Sequence, residues 1–269
     1  MQRLNSSLIL YIMSNLNIYI IYHKNAYKEN TAGFSDEELR AHFTWISVNE
    51  SIVKVDDEWI PAGQRIKECN MPVYDPLMQM TNFYQNSFFF HLYWNPELLS
   101  SKYVGFAQYD MGFDVPALRN IIAGLEGDGG DKIFGAYPYE FDAIYGVLDE
   151  NEWDKCFMKP YNEYYSTSHK LADVTEIPLF LLHTFIIPKW FFFHMMGFVN
   201  KMYKGVLRAL GWNTRHLAGT LERVFALCIS FGIKENKFRM VGHWSGVHHI
   251  DSQHTGDILR GISVGKALE

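Results

Sequence analysis

The chain has 269 residues, 48% hydrophobic and 20% charged, with a formal net charge of -6. That balance excludes a disordered chain and suits one large α/β domain with a sizeable core. The negative charge, without any basic block, disfavours general electrostatic binding to nucleic acid.

The amino end reads MQRLNSSLILYIMSNLNIYIIYHK. Its apolar run at 8–13 is interrupted by Ser14, Asn15 and Asn17, so it falls short of the ~20 residues of a membrane span. No A-x-A-like cleavage site follows it. Met13 could itself be a start, and we read residues 1–16 as an extension before a single domain at 17–269. Residues 17–22, NIYIIY, form a β-branched and aromatic run that predicts a buried strand feeding a polar loop at His23 and Lys24. SDEE at 35–38 predicts a helix start, with Ser35 as the cap and Glu38 three positions on. Residues 51–60 suit a short strand or hairpin.

PVYDP at 72–76 is a turn-rich entry to a helical run at 77–94, whose apolar and aromatic positions recur at helical spacing. A strand at 103–109 then ends in Asp110, Gly112 and Asp114. Pro116 opens the helix PALRNIIAGL, closed by GDGGDK, and residues 132–137 read as the next strand. Residues 149–176 are polar and tyrosine-rich, suiting loop and short helix. A strand at 180–188, a long helix at 190–210 stopped by Gly211 and a further helix at 218–230 lead to a histidine-bearing tail at 240–254.

Strands alternating with helices predict an α/β fold with a mainly parallel central sheet flanked by helices on both sides. The first strand is not followed by G-x-G-x-x-G, and no G-x-x-x-x-G-K-[ST] or G-x-S-x-G is present. These absences weigh against dinucleotide-binding dehydrogenases, P-loop ATPases and hydrolases with a nucleophile elbow. Cys69, Cys156 and Cys228 are odd in number and far apart. They suit a reducing compartment, hence a cytoplasmic location, rather than a disulfide framework. The acidic corner at 110–114 has two readings. One is an ordinary strand-ending turn. The other is a polar site at the carboxyl end of a central strand, where open α/β sheets bind ligands.

Four pieces in order, YHK at 22–24, FFFHLYWNPEL at 88–98, KYVGFAQYD at 102–110 and HLAGTLERVFAL at 216–227, carry a resemblance. Their sequence is similar to a family of uncharacterised sugar-transferase-like domains, with an aromatic helix ending in Tyr-Trp, a YVG-type strand with a polar corner and a later acid-Arg pair on a helix. The likeness spans residues 17–230. It implies a GT-A-like fold and a glycosyltransferase that uses a nucleotide-sugar donor, a UDP-sugar, with Mn2+ or Mg2+ as the accompanying metal. The chain also resembles glycosyltransferases encoded by large algal (chlorella) viruses that decorate their own capsid proteins. That likeness implies transfer of xylose from UDP-xylose to a glycan hydroxyl. The Asp-x-Asp triplet of GT-A enzymes is Asp110-Met111-Gly112 here, with glycine at the second acid. The resemblance therefore leaves metal dependence open.

Transfer from such a donor requires neutralisation of a diphosphate, deprotonation of an acceptor hydroxyl and alignment of the two. His23, Lys24, Asp110 and Arg119 are the candidate cofactor-binding residues; a solvated loop is the plain alternative for the first two. Glu222 and Asp75 are the candidate bases. Glu222 could instead pair with Arg223 or Arg215, and Asp75 could simply form a turn before Pro76. Asp110, Asp114 and His243 are the candidate metal ligands; the resemblance implies that one of the four histidines in GHWSGVHHIDSQH, His243, His248, His249 or His254, joins Asp110. The offered bases, without a clear second nucleophile, favour inversion. The expected partners are a nucleotide sugar and a glycan acceptor, with no nucleic acid and no membrane span. Two rivals remain: a non-catalytic nucleotide- or carbohydrate-binding domain of the same fold, and a metal-dependent hydrolase that uses the tail histidines.

Overall fold

Leu16–Tyr22 (β1) alternates its side chains between two cores, and that alternation organises the whole molecule. The computed structural model describes residues 14–23, 26–48, 57–80, 83–126 and 130–250. Ile18, Ile20 and Tyr22 point into one core, Tyr19 and Ile21 into the other, as the two-residue period of a doubly covered strand requires. Asp36–His42 (α1) starts with a full capping box: the Glu38 N–H donates to Ser35 Oγ, and the Ser35 N–H donates to Glu38 Oε2 at 2.8 Å. Phe43–Ser47 (β2) and Arg65–Lys67 (β3) extend the sheet from β1.

Pro76–Met80 (α2) and Asn86–Trp94 (α3) replace the single helix expected at 77–94. Tyr84 takes φ 48, and the Asn86 amide donates to the Phe83 carbonyl, so the second helix starts afresh. Tyr103–Gln108 (β4) lies beside β1, and Met111–Phe113 (β5) turns out of the sheet. Val115–Glu126 (α4) buries Leu118, Ile121 and Leu125 against the β1 face carrying Ile18 and Ile20. Lys132–Gly135 (β6) and Pro138–Tyr139 (β7) follow. The region expected to hold loop and short helix contains Glu150–Trp153 (α5), a π turn at Asp154–Met158 and Lys159–Tyr165 (α6).

The strand expected at 180–188 is two: Leu179–Phe180 (β8) and Phe185–Pro188 (β9). Leu182 and His183 between them have φ 60 and 48, a left-handed pair that no strand tolerates. Lys189–Ala209 (α7) and Leu217–Lys234 (α8) pack against α3 on the Tyr19 side of the sheet. The tail adds Met240–His243 (β10) and Val247–His249 (β11). The main sheet has the order β10-β6-β9-β4-β1-β2-β3. All neighbours are parallel except those of β9, which runs against both β4 and β6. With helices on both faces this is the α/β arrangement that the sequence predicts, carrying one reversed strand that hydrophobic periodicity cannot orient.

Phe89 of α3 ties the layers on the Tyr19 side. Its ring centroid lies 4.9 Å from Phe106 of β4 and 4.8 Å from Phe225 of α8. Among the described residues, Thr214–Lys234 is long and apolar enough to cross a membrane by length and composition, and 67% of its apolar window is buried inside the fold.

Candidate functional site

The carboxyl ends of β1, β2, β4 and β6 share one edge of the sheet, because these strands run parallel to one another. The start of β9 shares it too, since Phe185 pairs with Phe106 near the end of β4 and with Gly135 at the end of β6. Ligands of open α/β sheets bind outside such an edge.

Asp110 occupies the corner where β4 ends. The corner is clamped from behind by Asn30, fully buried, whose Nδ2 donates to the carbonyls of Tyr109 at 2.7 Å and Met111 at 2.5 Å. The Ile250 N–H donates to the Asp110 carbonyl at 2.7 Å. β5 pairs antiparallel with β11, matching Met111 to His249 and Gly112 to His248. This register brings His249 Nδ1 to 3.4 Å from Asp110 Oδ2, both side chains nearly buried. The His249 ring stacks on Tyr137, with centroids 5.4 Å apart. Where the second acid of an Asp-x-Asp triplet would stand, a Cβ on Gly112 would lie 2.6 Å from His248 Nε2. The imidazole of His248 thus takes up the space that such a side chain would enter.

Next to Asp110 in the chain, Tyr109 stacks on Tyr27 with centroids 6.0 Å apart and meets the His23 ring edge-on at 5.0 Å. These partly exposed rings line the edge between β1 and β4. Among the described residues no three His, Cys, Asp or Glu side chains gather in a metal-binding group. Asp110 and His249 are a pair, a carboxylate and an imidazole on one small buried patch. The carboxylate of such a pair suits a hard cation such as Mg2+ or Mn2+, whereas the imidazole is a ligand of softer metals.

Glu222 of α8 reaches the same edge from the helical side. Its Oε1 accepts the Leu182 N–H at 2.9 Å, while the Leu182 carbonyl accepts from Gln108 Nε2 at 3.1 Å and from Thr184 Oγ1 at 2.8 Å. Gln108 is the last residue of β4, so the Glu222 carboxylate connects through Leu182 to the strand that runs into the Asp110 corner. The left-handed pair Leu182–His183 stores strain of about 1–3 kcal/mol per residue, and these hydrogen bonds offset it. His183 is 1% exposed, its Nε2 lies 2.9 Å from Asn86 Oδ1, and its Nδ1 lies 4.0 Å from Glu222 Oε2. Burial pulls the His183 ring down to about 3, so it is neutral at ordinary pH.

The other candidates make contacts of their own. Arg119 Nε donates to Glu38 Oε1 at 2.6 Å on the outer face of α4. That guanidinium holds the Glu38 carboxyl down to about 2. Asp75 caps α2, its Oδ1 accepting the Leu77 N–H at 3.0 Å, and its own N–H donates to His91 Nε2 at 2.9 Å. Asp114 is exposed and accepts the Ala117 N–H at 2.8 Å, capping α4. His243 ends β10 opposite Gly135, whereas the histidine against Asp110 is His249. Arg223 beside Glu222 donates to the carbonyls of Ala143 and Gly219. Lys24, like residues 51–56 and the tail residues Asp251 and His254, lies outside the described residues. Trp244, beside the tail histidines, is 1% exposed and stacked on Phe113.

Sequence reasoning missed Asn30, Gln108 and His183. Each acts on a backbone group or side chain remote in the chain, and no local spacing marks such a role. For His249 the signal was the His-His pair in the tail, which carries no register by itself.

No family model matches the chain, and no curated protein matches its sequence. Solved structures align with it at low identity. The WbbM bifunctional glycosyltransferase, in its apo structure, superposes with a TM-score of 0.52 over 84% of this chain at 13% identity, and this chain covers 44% of the WbbM chain. The mannosyltransferase Ktr4p from S. cerevisiae aligns over 88% of this chain and 71% of its own at 12% identity, with a TM-score of 0.39. Its complex with GDP covers 88% and 72% at 14% identity, with a TM-score of 0.37. The chain thus spans less than half the length of the WbbM structure, and with its sheet order, reversed β9 and strand-end corner it has a GT-A-like fold.

Proposed function

We propose that this chain is a nucleotide-sugar glycosyltransferase that inverts the anomeric centre. The observation that carries the reading is the link from Glu222 through Leu182 to Gln108: it sets a base candidate and the Asp110 corner at one sheet edge. Tyr109, Tyr27 and His23 offer ring faces and edges to a nucleoside. Asp110 and His249 would hold a divalent cation, which when bound offsets the charge of the diphosphate leaving group.

Glu222 takes the proton of the acceptor hydroxyl. The acceptor oxygen forms its bond to C1 of the sugar, the C1–O bond to the diphosphate breaks, and the nucleoside diphosphate leaves with that electron pair. A single carboxylate in this position suits inversion, since retention by double displacement needs a nucleophile on the opposite face. For the finer identity, the sequence likeness to algal virus enzymes supports a UDP-xylose donor and a glycan hydroxyl, on a viral capsid glycoprotein, as acceptor.

The test is a panel of nucleotide sugars that includes UDP-xylose and GDP-mannose, scored for hydrolysis and transfer. Turnover of one UDP-sugar, lost on Glu222→Gln, is the expected result. Turnover of a GDP-sugar alone would overturn the donor assignment. Gly112, in the place of a second acid, favours a second reading, a non-catalytic nucleotide-binding domain. That reading predicts UDP binding with no turnover of any donor.

A further inference from the structure

His183 adjoins the base candidate yet has no part in the reaction as written. The protonation of its ring follows from its partners. Asn86 Nδ2 donates to the carbonyls of Phe83 at 2.9 Å and Ala218 at 3.2 Å. The amide orientation is thereby set, and Asn86 Oδ1 is left as an acceptor. His183 Nε2, 2.9 Å from that oxygen, must therefore carry the ring proton. The ring is neutral, so Nδ1 keeps its lone pair. Nδ1 is buried and has no hydrogen-bond partner among the described residues. It faces Glu222 Oε2 at 4.0 Å. Phe89 of α3 and Phe225 of α8 pack on the ring, with centroids 5.1 and 5.5 Å away, and bring no charge.

A carboxylate and a lone pair are both acceptors, which accounts for the separation beyond hydrogen-bond distance. Protonation of Glu222 changes this, because the new O–H is a donor. We propose that His183 is a positioning residue for Glu222, its Nδ1 accepting the hydrogen bond of the carboxylic acid that forms when Glu222 takes the acceptor's proton. The inference rests on the transferase reading above. The proton passes from the acceptor hydroxyl to Glu222 and stays on the carboxyl. His183 does not take it, since burial holds the ring in its neutral form. Glu222 Oε1 remains tied to the Leu182 N–H, so the carboxyl turns about a fixed oxygen and only Oε2 closes on Nδ1. The left-handed backbone at Leu182 and His183 is what presents the ring from that side, an instance of strain at a functional position.

Two substitutions separate positioning from packing. In His183→Asn the side-chain Oδ1 falls near the place of Nδ1 and keeps an acceptor towards Glu222. In His183→Gln the amide reaches the place of Nε2 and keeps the Asn86 contact instead. Steady-state transfer with the best donor should show kcat reduced about tenfold in His183→Gln with donor KM unchanged, less than the ~10²–10⁴ that loss of a base costs. His183→Asn should retain most of kcat. The reverse order, or equal losses that track equal drops in thermal midpoint, overturns the inference. Nitrogen-15 NMR of the wild-type imidazole gives a readout independent of turnover: the Nε2–H tautomer is expected, and the Nδ1–H tautomer overturns the inference. If Glu222→Gln abolishes transfer while His183→Gln keeps full kcat, the role of His183 alone falls. If the wild type turns over no donor, the transferase reading falls and takes this inference with it.

Discussion

Asp110 Oδ2 lies 3.4 Å from His249 Nδ1, across the pairing of β5 with β11. The contact joins the end of a central strand to the tail, and it makes the corner depend on both. A cation shared by this pair and a diphosphate should strengthen nucleotide binding. Titration calorimetry with UDP should show affinity at least about tenfold higher with Mn2+ than without, equivalent to about 1.4 kcal/mol. Asp110→Asn and His249→Ala should each remove that increment and leave metal-free affinity near the wild-type value. His243→Ala should keep it. Equal UDP affinity with and without Mn2+ in the wild type would count against a cation at this pair.

Asn30 holds the same corner from inside the fold. Replacing it with alanine takes the donor away from the Tyr109 and Met111 carbonyls. A buried acceptor left without its donor costs about 1–3 kcal/mol. Asn30→Ala should therefore lower the urea-denaturation free energy by about that amount, with weaker UDP binding as the corner loosens. Unchanged stability would mean that water or another donor replaces the amide.

The Asn30 clamp also marks where the sequence stopped being informative. Residues 17–22 and 103–109 were legible as strands because β-branched and aromatic residues fill them, and both are strands within a residue. Ser35 and Glu38 announced a helix start through a local chemistry that needs no tertiary partner. The acidic corner was legible as a place, since a carboxylate ended an apolar run. Its partners were not, because a hydrogen bond from Asn30 to residues 109 and 111 leaves no periodic trace. At 180–188 the apolar run hid a left-handed turn, for Leu and His carry none of the glycine or asparagine signal that usually marks one. Arg119 and Asp75 had the right residue type, but Arg119 pairs with Glu38 and Asp75 caps α2.

His183 makes stability depend on pH in a definite direction. Its usual value of 6.5 is lowered to about 3 in the fold by burial. Between these values the unfolded chain binds a proton that the folded chain does not. Stability therefore rises with pH across that window, and the His183 share is lost as the pH falls below 6.5. The slope from one such group is at most about 1.4 kcal/mol per pH unit. Lowered carboxyls at Glu38, Asp173 and Glu235 push the same way in acid, so the comparison with a variant isolates the imidazole. Urea denaturation of His183→Gln should lose less stability than the wild type between about pH 7 and about pH 5. Parallel curves for the two proteins would mean that the ring titrates normally.

Glu222 has one observed contact and one proposed role, and different substitutions separate them. One oxygen accepts the Leu182 N–H and supports the strained turn; the other faces His183. Glu222→Gln keeps an acceptor for Leu182 and removes the proposed base. It should fold with near wild-type stability, bind UDP normally and transfer sugar ~10²–10⁴-fold more slowly. Glu222→Ala removes both functions, so it should lose transfer and also about 1–3 kcal/mol of stability from the unpaired Leu182 amide. Asp75→Asn supplies the contrast between the two base candidates. Asp75 caps α2, and asparagine caps about as well as aspartate, so both rate and stability should stay close to wild type. Full transfer by Glu222→Gln together with a large loss in Asp75→Asn would move the base from α8 to the start of α2, and the link through Leu182 to Gln108 would then be structural only.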